Sequence, residues 1–247
     1  MIKENYPDRL PIKFEIIEMS QLQNIEYAKA RDKEKHESSF RGSNEVNGGI
    51  IVKDKNLAST SYRIKSRQLC NIYIDPTVKL EKYNINKYSP KLEAIYNNIT
   101  KNHSSMINIV YSTFLEYGIM AFAKYLEVNG YKLYNDKREE GTKYYAIFSG
   151  NQSPEEREEI LRLMNTDENK YGNNISVLLI SKSGTEGLHL TNVRAVHIME
   201  PYWNFSLLQQ IIARGVRYKS HIALKKEERN VQTYIYLSDY NKDYLQN

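Results

Sequence analysis

Three polar side chains in one stretch of this sequence could handle a polyphosphate. Gln210, Arg214 and Arg217 fall within Phe205 to Arg217, a segment whose Leu208, Ile211 and Ile212 mark a separate apolar face. The pattern predicts an amphipathic helix, and arginines at this spacing would share one side of it. Guanidinium forks bind phosphate oxygens bidentately and keep their charge. An arginine aimed at a γ-phosphate stabilises the charge that develops in phosphoryl transfer. Upstream, a short apolar run ends at Ile180 and is followed by Ser181-Lys182-Ser183-Gly184-Thr185-Glu186-Gly187-Leu188. Hydroxyls and glycines at the carboxyl end of a strand allow close backbone approach to a phosphate. Each feature has a plainer reading. Two arginines on a helix commonly make a solvated face, and a Gly/Ser run commonly makes a tight turn. Their proximity in one segment favours an anion site.

The elements that would position these residues emerge from about Tyr88 onward. Pro90 can sit in the first turn of a helix, KLEAIYNNITKN. Met106–Tyr111, Tyr144–Phe148, Ser176–Ile180, Ala195–Met199 and Val231–Leu237 read as buried strands. Between them, Leu115–Asn129 reads as a helix ended by Gly130, and Pro154–Met164 as a helix opened by Ser153 with proline in the favoured first position. Strands and helices alternating at these lengths imply a parallel sheet covered on both faces. Ligands in such folds bind at the carboxyl ends of the strands. Residues 1–88 lack this alternation. Ile12–Met19 reads as a strand, and Ser20 caps a helix to about Lys35, with Gln23 placed as in a capping box. The polar, Gly/Ser/Asn-rich stretch 34–49 reads as a mobile loop.

Composition sets outer limits. The 247 residues are 40% hydrophobic and 26% charged, enough for a core and ordinary for a globular protein. Lys plus Arg exceed Asp plus Glu by 35 to 30, a mild excess that permits an anionic partner without requiring one. No apolar run approaches the roughly 18 residues of a membrane span. The first residues also lack the apolar stretch of a signal peptide. The single cysteine, Cys70, excludes an intramolecular disulfide, reads as a small core residue and fits a reducing, intracellular setting. The 21 tyrosines could stack on bases, although AT-rich coding is the better explanation. His197, inside an apolar strand, reads as a satisfied core histidine, and Trp203 as a packing anchor. The acidic run Glu155–Glu159 reads as a solvated helix start. Lys219, Lys225, Lys226 and Arg229 form a basic cluster diluted by Glu227 and Glu228.

SKSGTEGLHL resembles motif V of superfamily 2 helicases, and QIIARGVR resembles motif VI. The connecting VRAVHIMEPYWNFSLLQQ is similar to the link between those motifs in Swi2/Snf2-like helicases of large DNA viruses, of the nucleoside triphosphate phosphohydrolase I and early transcription factor types. INIVYSTF resembles motif IV, and FSGNQSPEEREEIL the segment after it. EIIEMSQLQNIEYAKA and SYRIKSRQLCNIYIDP resemble the stretch joining the two RecA domains in those proteins. The resemblance implies residues 1–88 as an inter-domain extension and 89–247 as a second, C-terminal RecA-like domain. It implies that Arg214 and Arg217 face the triphosphate, with Arg217 as arginine finger. Gln210 would couple nucleotide to the domain interface, and Gly187 and His189 would line the nucleotide cleft. Ser112, Thr113, Ser149, Gly150 and Ser181 would contact a nucleic-acid backbone, which positions a strand without reading its sequence. Two positions depart from the pattern: Ala213 stands where motif VI usually has glycine, and His189 where many relatives carry an acidic residue or asparagine.

The sequence contains no GxxxxGK[ST] loop, and no acidic DExx box follows a strand. Those elements hold the β/γ-phosphates and Mg²⁺ in P-loop ATPases. The expectation is therefore half an ATP site on a RecA-like fold without its own P-loop. An N-terminal RecA domain of the same parent chain would bring ATP and Mg²⁺ to it, and the isolated chain would not hydrolyse ATP. No metal site is expected within the chain itself. By family analogy the partners are DNA or RNA and viral transcription machinery, and the location is the virion or host cytoplasm. Two other readings stand beside this one. One is a RecA-like module that binds nucleic acid or a transcription complex without catalysis. The other is an unrelated α/β enzyme such as a nucleotide-sugar transferase, for which no acid/base pair at the strand ends offers support.

Overall fold

A computed structural model describes residues 5–43, 63–75, 77, 81, 84–135, 139–184, 187–201, 209–213 and 216–241. Its frame is a parallel sheet of eight strands: β1 (Asp8–Arg9), β2 (Lys13–Glu18), β3 (Ile107–Ser112), β4 (Tyr131–Leu133), β5 (Lys143–Phe148), β6 (Val177–Ser181), β7 (Val193–Ile198) and β8 (Asn230–Asp239). The order across the sheet is β1-β8-β7-β3-β6-β5-β4, and β2 also pairs with β8. All pairings are parallel. The strands read from the sequence are thus present, and the short edge strands β1 and β4 add to them.

Every residue of β3, β6 and β7 is buried, as central strands of a doubly covered sheet require. Alternation along each strand divides the core in two. Val110, Val177, Leu179, Tyr234 and Tyr236 pack on one face with Leu92, Ile95 and Phe122. Ile109, Tyr111, Leu178, Ile180 and Ile198 pack on the other with Met164, Ile211 and Ile212. The first face is covered by α3 (Pro90–Asn97) and α4 (Ala121–Val128), and the second by α5 (Pro154–Met164) and the helical residues 209–213.

Local signals explain the helix starts. Ser89 caps α3 by accepting from the Leu92 amide at 3.2 Å, with Pro90 in the first turn. Ser153 and Glu156 form a reciprocal capping box on α5, with the Glu156 amide 3.1 Å from Ser153 Oγ and the Ser153 amide 2.8 Å from Glu156 Oε2. Ser20 caps α1 (Gln21–Ser43) through the Gln23 amide at 3.1 Å, but the Gln23 side chain does not close a box. It donates instead to the Leu69 carbonyl at 2.6 Å, tying α1 to α2 (Ile64–Leu69).

Three expectations change. Residues 34–43, assigned to a loop, continue α1, while 44–49 lie outside the described residues. The helix expected from Leu115 begins as a π-helical turn, Leu115–Met120, before α4, marked by the Ile119 amide reaching the Phe114 carbonyl at 3.1 Å. The N-terminal stretch that lacked alternation is built into the sheet. β2 runs alongside β8 from Lys13↔Tyr234 to Glu18↔Asp239, and Ile72 and Ile85 join the first core.

Candidate nucleotide and nucleic-acid site

The predicted contact residues converge on the carboxyl edge of the sheet. Ser112 ends β3 directly beside Ser181, which ends β6. Phe148, the last residue of β5, pairs with Ile180, so Ser149 and Gly150 lie at the same level. The Gly150 amide donates to Ser183 Oγ at 2.9 Å, and Ser183 Oγ lies 3.0 Å from Ser181 Oγ. The turn after β6 presses against the end of β5 so closely that a Cβ on Gly184 would lie 2.2 Å from the Phe148 carbonyl oxygen. Glycine at position 184 is thus required by packing between two loops.

Gly187 takes the left-handed conformation, φ +72°, that opens the turn toward Leu188. Leu188 is buried, and its carbonyl accepts a hydrogen bond from Arg217 Nη2 at 3.0 Å. A second tether holds the Arg217 backbone: its amide donates to Ser220 Oγ at 3.1 Å, and its carbonyl accepts from the same hydroxyl at 2.8 Å. Arg217, Gln210, Ala213, Val216, Tyr6 and Tyr218 line an open cavity of about 510 Å³. The structure therefore joins the end of motif VI to motif V, with Gln210 in the same groove. His189 is exposed, and its carbonyl accepts from Asn165 Nδ2 at 2.9 Å.

The expected geometry of the arginine segment is corrected. Among the described residues of this segment, 209–213 are helical and Val216 and Arg217 are not, while 202–208 and 214–215 lie outside them. Arg217 is thus oriented by Leu188 and Ser220 rather than by a helical face shared with Arg214. Arg214 lies outside the described residues, as do Thr185, Glu186 and Trp203.

Ser112 and Thr113 also differ from expectation. Ser112 is fully buried, with its hydroxyl 3.0 Å from both carboxylate oxygens of Glu200. The Thr113 amide donates to the same carboxylate in a very short bond. These donors are spent inside the protein, so the Ser112 hydroxyl is not presented to a phosphate. Ser149 and Ser181 are buried as well, and of the five predicted backbone contacts Gly150 is the exposed one.

Sequence reading missed the acid that collects those donors. Glu200 follows β7 and is buried, and Asn71 Nδ2 donates to it at 2.8 Å. The other end of Asn71 accepts from Lys91 Nζ at 3.2 Å, and Lys91 also donates to the Met199 carbonyl at 3.0 Å. Asn71 thus bridges a buried cation and a buried anion. Burial pushes the Glu200 carboxyl above its ordinary range, opposed by its hydrogen bonds and by Lys91. Burial likewise pulls the Lys91 ammonium down, opposed by Cys70 and Glu200. An acid ending an apolar strand and a lysine on the inward face of α3 were the available signals. His197 is a core histidine as read. It is fully buried, 2.8 Å from the Tyr236 hydroxyl and 3.3 Å from Asn108 Oδ1, and burial pulls it down to about 3.

A parallel sheet with motif V and motif VI residues joined at its carboxyl edge defines a helicase-type RecA lobe, and residues 90–219 match the helicase conserved C-terminal domain. The chain belongs to that family. It is 37% identical over 233 residues to "Putative ATP-dependent RNA helicase R563" of Acanthamoeba polyphaga mimivirus, an alignment covering 89% of this chain and 38% of that protein. It is 30% identical over 290 residues to the "Termination factor NPH-I homolog" of African swine fever virus, covering 96% of this chain and 40% of that protein. The chain thus spans about two fifths of the length of these relatives. The fold matches the C-terminal part of the Fun30 ATPase domain, with a TM-score of 0.61 at 13% identity over 95% of this chain and 86% of that one. It also matches the Sulfolobus solfataricus SWI2/SNF2 ATPase core solved in complex with dsDNA, with a TM-score of 0.58 at 16% identity over 94% of this chain and 41% of that one. Among the described residues, no helix is long and apolar enough to cross a membrane.

Proposed function

We propose that this chain is the second RecA-like lobe of an ATP-dependent nucleic-acid helicase or translocase that serves viral transcription. The attachment of Arg217 to the Leu188 carbonyl carries this reading most directly, because it ties the end of motif VI to the motif V turn at the sheet's carboxyl edge. Residues 89–247 form the lobe, and residues 1–88 the extension that leads into it and adds β1 and β2 to its sheet. An N-terminal RecA domain of the same parent chain faces this edge and completes the site.

The groups at this edge suit the distal phosphates of a nucleotide. Arg217 offers a planar cationic fork with one Nη already oriented by a carbonyl, which lowers the cost of aligning it. Gln210, on the same groove, is exposed and uncharged, which suits a contact to the facing domain. Arg214 adds a second cation along the segment, and Gly187 and His189 edge the cleft. When bound, ATP supplies the phosphoryl group whose transfer to water powers movement. Arg217 opposes the negative charge that grows on that group. Among the described residues no group of three His, Cys, Asp or Glu side chains is placed to hold a metal ion. This reading assigns Mg²⁺ to the N-terminal domain.

Nucleic acid, DNA or RNA, runs along the ends of β3, β5 and β6 by its backbone. Gly150 is exposed at this edge, with Ser149 and Ser181 behind it and Thr113 at the neighbouring turn. The work would take place inside the virion or the infected cell, as the viral relatives suggest.

The test is ATP hydrolysis by the 247-residue chain, with and without single-stranded DNA or RNA, beside the longer protein carrying both lobes. Silence from the chain and stimulated turnover by the two-lobed protein are expected. Clear turnover by the chain alone, lost in Arg217→Ala, would overturn the half-site reading.

A further inference from the structure

The buried cluster around Glu200 lies outside the phosphate-facing residues, yet it joins four parts of the chain. Its carboxylate accepts from Ser112 Oγ at the end of β3, from the Thr113 amide in the following turn and from Asn71 Nδ2 after α2. Asn71 accepts from Lys91 Nζ in the first turn of α3, and the Asn71 carbonyl accepts from Ser89 Oγ, the cap of that helix. The turn is held from its other side too. The Phe114 amide donates to Ser112 Oγ at 3.1 Å, and a Cβ on Gly118 would fall 2.0 Å from that oxygen. Gly118 thus packs directly against the Ser112 side chain.

A buried carboxylate with this many donors is strongly oriented, because each lost partner would leave a desolvated polar group. Glu200 is also the residue from which the chain leaves β7 toward Gln210 and Arg217. The far end of that segment is tied down separately, through Arg217 to Leu188 and Ser220. The chain is therefore anchored at Glu200, ahead of residues 202–208, which lie outside the described residues, and again at Arg217 by motif V.

We propose that Glu200 is a positioning residue for ATP turnover, which, with Asn71 and Lys91, fixes the arginine segment relative to the turn after β3. It touches neither nucleotide nor nucleic acid. It acts through the geometry of Arg217 and of the Ser112–Phe114 turn. The inference rests on the half-site reading given above.

The experiment compares wild type, Glu200→Gln and the double variant Lys91→Met/Glu200→Gln in the protein carrying both lobes. It reads thermal melting together with kcat and KM for ATP at saturating single-stranded DNA. Glu200→Gln turns one oxygen into a donor that faces donors, so melting and turnover both fall. The double variant leaves no uncompensated Lys91 ammonium, and it frees the Asn71 amide to turn its oxygen toward the introduced donor, so stability is restored. Expected is a double variant that melts near wild type, with kcat still down about a hundredfold, the scale of a small misplacement far from the chemistry, and KM for ATP within about threefold. If kcat returns together with melting temperature, Glu200 only stabilises the fold and the inference is overturned. Should the double variant fail to fold, Ser112→Ala, which deletes one partner and no charge, takes its place: wild-type kcat in a folded Ser112→Ala protein overturns the inference equally. A wild-type two-lobed protein without stimulated hydrolysis would instead remove the half-site reading, and this inference with it.

Discussion

Arg217 Nη2 donates to the carbonyl of Leu188 at 3.0 Å, so the end of motif VI is docked on the turn that motif V makes after Gly187. The contact joins residues far apart in the chain and fixes one edge of the guanidinium of a residue that lines the same cavity as Gln210. An arginine held this way needs little reorganisation when a phosphoryl group arrives, which is the physical basis of electrostatic preorganisation.

Gly184 is a packing requirement. A Cβ there meets the Phe148 carbonyl oxygen at 2.2 Å and its carbon at 2.9 Å, both backbone atoms that cannot swing aside. Gly184→Ala should force the ends of β5 and β6 apart and cost about 1–3 kcal/mol, as overpacking does. It should also weaken oligonucleotide binding, because Gly150 and Ser183 separate. A denaturant melt within about 0.5 kcal/mol of wild type would show that the two loops move independently.

The N-terminal strand belongs to the sheet, and removing it should matter. β2 covers β8 over six residue pairs, beside the buried Tyr234, Ile235 and Tyr236. Deleting residues 1–19 turns β8 into a bare edge, a template for aggregation. The truncated protein should elute as aggregate or melt about 10 °C or more below wild type. A monomer with an unchanged melt would mean that residues 1–88 are a separable linker.

Acid should destabilise the fold through its histidines. His197 is pulled down to about 3, and His103 and His221 to about 4, in each case mainly by burial. The unfolded chain takes up these protons near pH 6.5 and the folded chain resists them. Stability is therefore full above about pH 6.5 and falls as pH drops toward 4, because the unfolded state binds more protons throughout that window. Glu200, raised by burial, works in the opposite sense. Melting temperature followed from pH 7.5 to 4.5 should decline, and His197→Gln should flatten the slope. A flat wild-type profile would contradict this account.

The fold was legible because its signals are local. The apolar strands, Ser89 before Pro90 and Ser153 with Glu156 each announce an element through short-range chemistry. The N-terminal part was harder to read. β2 is an edge strand with exposed Phe14 and Ile16, so its pattern does not reveal the partner, and α1 continues past Lys35 through polar residues with little apolar signal. At the candidate site, motif spacing named residues that the fold gathers at the carboxyl edge of the sheet but could not show how their groups are used. Ser112 reads as a phosphate contact until Glu200, 88 positions away, is seen to take its hydroxyl. Likewise, the three-residue spacing of the arginines suggested a shared helical face, whereas Arg217 lies past the helical residues and is turned by Leu188.

The most direct test is nucleic-acid-stimulated ATP hydrolysis by the protein carrying both lobes, wild type against Arg217→Ala and Arg217→Lys. If Arg217 is the arginine finger, the alanine variant loses about 10³-fold or more in kcat. The lysine variant recovers little of it, because a point charge cannot reproduce the oriented fork. Turnover within a few-fold of wild type in Arg217→Ala would contradict the account at its centre.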